Sequence, residues 1–384
     1  MNTVYGLTNG KIILGENVLE DKVLIFKDKI LKIADKEDLI EYESIHLIDV
    51  NGNYISPGFI DIHIHGAGGS DTMDGTLNSI ENISRTLVKT GVTSFLATTM
   101  TMSKKVIYGV LDTVRKAVNT DFKGAKVLGA HLEGPFISEK YKGAQNAKYI
   151  VSPDYDFVKG YTDIIKIITL APEMDIEFKF IKKIKETGEN IVLSVGHSNA
   201  TYEECINSIK EGISHGTHIF NAMSPMHHRM PGVVGAVLNS DVTCEIIADK
   251  IHVHPAIFQL LLKTKDIDKI ILITDSMRAG AMKEGIYELG GQKVIVKDGQ
   301  ARLENNTLAG SVLTMNSAVK NFMEHTDINI QNVIKLATIN PARVIGIDDK
   351  KGSLHEGKDA DIVVFDKNFD IYLTVVEGNI LYKK

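Results

Sequence analysis

The chain has 384 residues, of which 43% are hydrophobic and 24% charged. Such a mixture excludes a disordered or fibrous protein and leaves room for one large domain plus a smaller one. A formal net charge of −6 at pH 7 offers no basic stripe to track a nucleic-acid backbone, so nucleic acid is not an expected partner.

The start, "MNTVYGLTNGKIILGENV", lacks the basic segment and apolar core of a secretory signal. The longest apolar runs, such as "IIKIITLA", fall short of the roughly 20 residues that cross a bilayer. Cys205 and Cys244 are the only cysteines, and without a secretory context they read as buried thiols rather than a disulfide. A cytoplasmic protein without membrane contact is expected.

Residues 1–56 alternate short β patterns with turns, as in "TNGKIILGENVLEDKVLIFKDKILKIAD", and predict a meander rather than helices. The middle then yields eight strand-like runs separated by amphipathic stretches: "GFIDIHIH", "VTSFLATT", "KVLGAHLEG", "IIKIITLAP", "NIVLSVGHS", "HGTHIFNAM", "TCEIIAD" and "KIILITDS". That cadence predicts βα units and a parallel sheet, and eight of them fit a (β/α)8 TIM-like barrel. A doubly wound sheet is the competing topology, but its G-x-G-x-x-G turn is missing after the first strand. The end of the chain, "KGSLHEGKDADIVVFDKNFDIYLTVVEGNILYKK", returns to short strands. The expected architecture is therefore α/β: a small β-sandwich domain from both termini, residues 1–56 and 350–384, around a barrel of residues 57–349.

In the first run, period 2 sends Asp61, His63 and His65 to one face and Ile60, Ile62 and Ile64 to the other. Collecting the polar residues at the strand ends adds Glu133, His197, His218 and Asp275. In a barrel the carboxyl ends of the strands carry the chemistry and bring distant residues around one axis. Imidazole and carboxylate donors without thiolate suit Zn, Fe, Co or Mn. Any one of these histidines could instead be a core residue with its hydrogen bonds met, and Asp275 could cap a helix.

At this point the chain resembles a known family. "PGFIDIHIHG", "HLEGPF", "VGHSNAT", "THIFNAMSP", "ITDSM", "NPAR" and "EGKDADIVVFD" are similar to the amidohydrolase superfamily. "HLEGPF" followed by "KGAQN", with "THIFNAM" and "LAGS", narrows the resemblance to its N-acetylglucosamine-6-phosphate deacetylase branch. The resemblance implies a divalent metal on Glu133, His197 and His218, with Asp275 as catalytic acid and base. Many superfamily members bridge two metals with a carbamylated lysine on the fourth strand; here that strand reads "IIKIITLAPE", and the resemblance implies Glu133 as the bridging carboxylate instead. Because His63 and His65 are retained, one or two ions per subunit are expected. The alternative for that pair is two imidazoles hydrogen-bonded to water.

The resemblance also implies a small amino-sugar phosphate as substrate and a homodimer. It places the carbonyl-orienting histidine on His252, with His254 peripheral, and adds substrate contacts at Ala144, Gln145, Asp249, His252, Leu308, Ala309 and Gly310, while Asn221 and Ala222, on the loop after the sixth strand, are expected to offer donors to the phosphate. Arg229 would take phosphate oxygens; a solvated loop is its other reading. Asp61 is expected to support the histidine pair, and the flanks of "LAGS" suggest a lid. The implied reaction is removal of the N-acetyl group of N-acetylglucosamine 6-phosphate. The galactosamine epimer, another amidohydrolase acting on a cyclic or linear amide, and a non-catalytic sugar-phosphate binder remain open.

Overall fold

Eight parallel strands lie side by side in chain order: Phe59–Ile64, Val92–Thr98, Lys126–Glu133, Ile165–Leu170, Val192–Val195, His215–Gly216, Thr243–Ile247 and Ile270–Ile273. They fall in the eight runs read from the sequence. Each strand is followed by a helix, in order Leu77–Leu87, Lys104–Val118, Tyr155–Val158, Lys179–Thr187, Tyr202–Glu211, Gly232–Leu238, Ala256–Thr264 and Met315–Glu324, so the sheet curls into a barrel with helices outside. This computed structural model describes residues 3–41 and 44–384; residues 1, 2, 42 and 43, within the segment expected to open the small domain, lie outside the described residues.

The first strand is buried at every position, as a parallel strand must be when helices cover one face and packed side chains the other. Lys104–Val118 shows how a helix docks. Its Ile107, Val110, Leu111, Val114 and Ala117 are buried at spacings of three and four, and Arg115 and Lys116 sit in the last turn, where cations suit the helix dipole.

The first and eighth strands meet without a regular ladder among the described residues. The Asp275 N–H donates to the His63 carbonyl at 2.9 Å. Fully buried Asp61 accepts the Thr274 hydroxyl at 2.6 Å and the Thr274 N–H at 3.4 Å. At the other end, the Leu336 and Ala337 carbonyls accept from Leu272 and Ile60 at 2.9 and 2.8 Å. Asp61 thus ties the barrel's seam, and it touches the histidine pair by accepting the His63 backbone N–H at 3.3 Å.

The termini supply two more sheets. One has four strands, Tyr5–Thr8, Lys22–Phe26, Ile30–Asp35 and His46–Asp49. The other has six: Lys11–Leu14, Asn17–Leu19 and Tyr54–Pro57 from the amino-terminal side, and Ile362–Phe365, Ile371–Val376 and Asn379–Lys383 from the carboxyl-terminal side. Strand alternation joins this sandwich to the barrel: Ile362 and Val364 pack in the sandwich core with Leu24 and Phe26, whereas Val363 and Phe365 pack in the barrel core. The chain passes between the two units at Gly58, where a Cβ would stand 2.2 Å from the Thr93 side chain.

A three-stranded antiparallel sheet, Gly285–Leu289, Gln292–Lys297 and Gln300–Leu303, follows the eighth strand and was not expected from the sequence. Its hairpins turn at Gly290 and Gly291 (φ 57° and 80°) and at Asp298 and Gly299 (φ 51° and 71°), pairs with positive φ that suit type I′ turns. Leu289, Val294, Val296 and Ala301 pack it onto Met100 and Met277 at the barrel mouth.

Phe365 stacks on Phe369 with ring centroids 5.0 Å apart and also meets Tyr54 and Phe59. Phe365→Ala is expected to lower the unfolding free energy by about 3–5 kcal/mol. Urea unfolding checks it; a loss below about 1 kcal/mol would show that this ring does not hold the two units together.

Candidate active site

Strand ends deliver the polar residues to one rim. Glu133 closes the third strand, His65 follows the first, and His197, His218 and Asp275 each lie two residues beyond the fifth, sixth and eighth. These last three adopt φ of 48°, 30° and 47°, a left-handed conformation uncommon for non-glycine residues and often kept where function requires it.

Glu133 is the hub. Its Oε1 stands 3.2 Å from His197 Nε2, 3.1 Å from His218 Nε2 and 3.3 Å from His63 Nε2. Its Oε2 is 3.3 Å from His65 Nε2 and accepts from Gln145 Nε2 at 2.7 Å. Asp275 Oδ1 completes the group, 3.2 Å from His65 Nε2 and 3.6 Å from His63 Nε2. The candidate ligands form two trios, Glu133/His197/His218 and His63/His65/Glu133, each with its donor atoms within 4.8 Å of one another. Glu133 belongs to both, the placement a bridging carboxylate requires.

The electrostatics suit a cation. Burial works against a charge on His63, but Glu245, Glu133 and Asp275 outweigh it and hold this imidazole well above its ordinary value. His65, equally buried, is pushed up to about 10 by Asp275 and Glu133. Burial would raise Glu133, yet His63 and His197 keep it well below the usual carboxylate range. A field that favours protons on these imidazoles also favours a divalent ion in their place. His197 Nε2 and His218 Nε2 are only 3.2 Å apart on the same carboxylate oxygen, and buried His63 Nε2 has no hydrogen bond. These lone pairs, in a set of nitrogen and oxygen donors, fit a divalent metal of the Zn, Fe, Co or Mn kind.

Beneath the rim lies a polar layer that sequence reasoning did not single out. Glu245, mid-strand and fully buried, accepts from His63 Nδ1 at 2.9 Å and from the His218 N–H at 3.1 Å. His131 is engaged at both nitrogens, with the Ile62 carbonyl at 3.0 Å and Thr169 Oγ1 at 2.7 Å. A carboxylate inside the apolar run "TCEIIAD" was the visible signal for Glu245.

Above the rim opens a cavity of about 480 Å³, lined by His65, Glu133, His197, His218 and Asp275 and also by Ala144, Gln145, Asn221, Ala222, His252, Leu308 and Gly310. Asp249 and Ala309 stand behind this lining. Asp249 Oδ2 is 2.6 Å from His252 Nδ1, and its Oδ1 accepts the His252 N–H at 2.8 Å. His254 is peripheral, its Nδ1 accepting the Ala256 N–H at the start of a helix. Residues 309–311 are tied down rather than free to act as a lid: the Ala309 N–H donates to Ala301 O and the Ser311 N–H to Asp275 O, at 3.0 and 2.7 Å.

Arg229 is not brought to this cavity. The chain doubles back between His227 and Met230, which projects the loop outward and leaves Arg229 exposed, its Nη1 2.7 Å from His228 Nε2. The arginine that does line the cavity is Arg302, on the unexpected three-stranded sheet. Its Nε donates to Gln300 Oε1 at 2.8 Å and its Nη1 to Asn306 O at 2.7 Å.

Comparison with known proteins agrees with this geometry. The amidohydrolase family profile matches residues 54–381. The chain is 43% identical over 334 residues to N-acetylglucosamine-6-phosphate deacetylase of Bacillus subtilis, covering 85% of this chain and 84% of that one. It is 40% identical over 358 residues to the protein of that name from Lysinibacillus sphaericus, covering 91% of each. The crystal structure of N-acetylglucosamine-6-phosphate deacetylase from Pasteurella multocida superimposes with a TM-score of 0.92 at 34% identity, over 98% of this chain and 99% of that one. The chain belongs to the amidohydrolase family and groups there with these deacetylases.

Proposed function

We propose that this protein is a metal-dependent deacetylase that hydrolyses N-acetylglucosamine 6-phosphate to glucosamine 6-phosphate and acetate. The observation that carries this reading is the convergence of Glu133, His197, His218 and Asp275 on one cavity in a chain 43% identical to an enzyme of that name. Glu133, His197 and His218 would hold one divalent ion, and His63 and His65 with Glu133 a second. When bound, such an ion supplies Lewis-acid activation of water and of the amide carbonyl.

The side chains supply the rest. Although burial opposes it, His63 and His65 hold Asp275 below its usual range, so its carboxylate is ionised at neutral pH. It accepts a proton from the attacking water and returns it to the departing nitrogen. His252 meets the carbonyl oxygen, a contact of a kind worth about 3–4 kcal/mol in the transition state. Gln145 donates to Glu133 Oε2, the oxygen that also faces His65, while its own carbonyl takes the Thr101 N–H at 2.7 Å.

Asn221, Ala222 and His252 receive the sugar phosphate against Ala144, Leu308 and Gly310, with Asp249 and Ala309 holding them from behind. Arg229 serves the cavity of a second copy in a homodimer. This is supported by its outward loop, where Met226 and Met230 are 55% and 71% exposed and would be covered by that copy. The strand ranges support residues 57–349 as the catalytic barrel and 1–56 with 350–384 as the small domain. No helix among the described residues is long and apolar enough to cross a membrane, which agrees with a cytoplasmic enzyme.

Acetate release from N-acetylglucosamine and N-acetylgalactosamine, each with and without a 6-phosphate, tests the substrate directly. The phosphorylated gluco sugar is expected to be fastest, and chelation followed by desalting should abolish turnover until a divalent metal is restored. Activity indifferent to phosphate and to chelation would sink the reading. Asp275→Asn should lower kcat by about 10²- to 10⁴-fold while substrate binding, followed calorimetrically, persists; full turnover in this variant would remove Asp275 from its role.

Burial opposes a charge on His252, but the Asp249 carboxylate hydrogen-bonded to it raises its pKa above the ordinary 6.5. A raised imidazole is protonated below that value and loses its charge as pH rises through it, so kcat/KM should fall on the alkaline side above pH 6.5. His252→Gln should remove that limb and lower the plateau about 10²-fold. An unchanged pH profile in the variant would assign the limb to another group.

A further inference from the structure

We infer that Glu245 is a positioning residue for a second cation, fixing the ring of His63 so that Nε2 faces Glu133 and His65 as a ligand. This rests on the metal-centre reading above and extends it to a side chain that the proposed chemistry does not use. Glu245 sits in the middle of Thr243–Ile247 and is fully buried. A carboxylate there is costly unless donors surround it. At Oε2 they do: it takes His63 Nδ1 at 2.9 Å and the His218 N–H at 3.1 Å, whereas Oε1 has no hydrogen bond and faces His215 Nε2 at 3.3 Å.

An imidazole that ligates through Nε2 keeps its one remaining proton on Nδ1. Glu245 is where that proton goes. Buried His63 Nε2 is left without a hydrogen bond, 3.3 Å from Glu133 Oε1 and 3.6 Å from Asp275 Oδ1, and His65 Nε2 approaches Glu133 Oε2 to 3.3 Å. Facing two carboxylates, His63 Nε2 is stable with a cation on it, a proton or a metal ion, and His65 with Glu133 supplies the partners for a metal. His131 groups with His63 and Glu245, but its own nitrogens are taken by Ile62 O and Thr169 Oγ1, so it packs beside the pair rather than competing as a ligand. Partners of this kind orient metal-binding histidines and raise their basicity, and their loss typically costs about 10- to 100-fold in metal affinity.

The test is equilibrium dialysis of metal-stripped protein against cobalt(II), on wild type, Glu245→Gln and Glu245→Met, each also in a His63→Ala background. Wild type should take up two equivalents. Glu245→Gln can place its amide oxygen where Oε2 lies and should bind both within about tenfold, whereas Glu245→Met should lose about 10- to 100-fold in affinity for one ion and keep the other. With His63→Ala the residual single ion should be indifferent to residue 245. Equal weakening of both ions, equal loss in the Gln and Met variants, or no loss in Glu245→Met would overturn the inference. A wild-type chain that binds one ion overturns it and leaves the Glu133–His197–His218 site standing; a chain that binds none overturns both.

Discussion

A single carboxylate organises the molecule. One oxygen of Glu133 lies within 3.3 Å of three imidazole nitrogens and the other within 3.3 Å of a fourth. Burying a carboxylate is expensive, and burying four imidazoles around it is tolerable only because their opposite charge tendencies match or because a cation joins them. The barrel's closure at Asp61 and Thr274 and the left-handed turns after the fifth, sixth and eighth strands all serve this cluster. Each brings a ligand or proton carrier from far along the chain to the same few ångströms.

The remaining architecture divides by distance from that point. The polar layer beneath, in which Glu245 and His131 engage His63 and its strand, sets ring orientations by hydrogen bonds inside a dry core, where such bonds count for most. The three-stranded sheet above walls the cavity and supplies Arg302. The sandwich from the two termini meets the barrel through Val363 and Phe365, and among the described residues it contributes no side chain to the cavity lining.

Much of this was legible in local pattern. The eight barrel strands stood out because buried parallel strands are continuous apolar runs, and the candidate ligands stood out because they interrupt or end those runs. The three-stranded sheet was not foreseen although "LGGQ" and "KDGQ" are hairpin signals, since it is an insertion between the eighth strand and its helix and follows no βα period. Glu245 was passed over because a lone acid inside "TCEIIAD" has no partner in the linear text. His63, which accounts for it, is on the opposite side of the barrel's sequence.

Arg229 and Arg302 mark the boundary most clearly. Both are arginines in loops or short strands near glycine, and nothing in their neighbours along the chain separates them. Periodicity and turn chemistry act over a few residues, so they suffice to place strands, helices and the residues at their ends. Whether a given side chain enters the cavity depends on how a loop doubles back and which sheet packs over the barrel mouth. Those are relations among residues far apart in the chain, and they exist only once the barrel has closed.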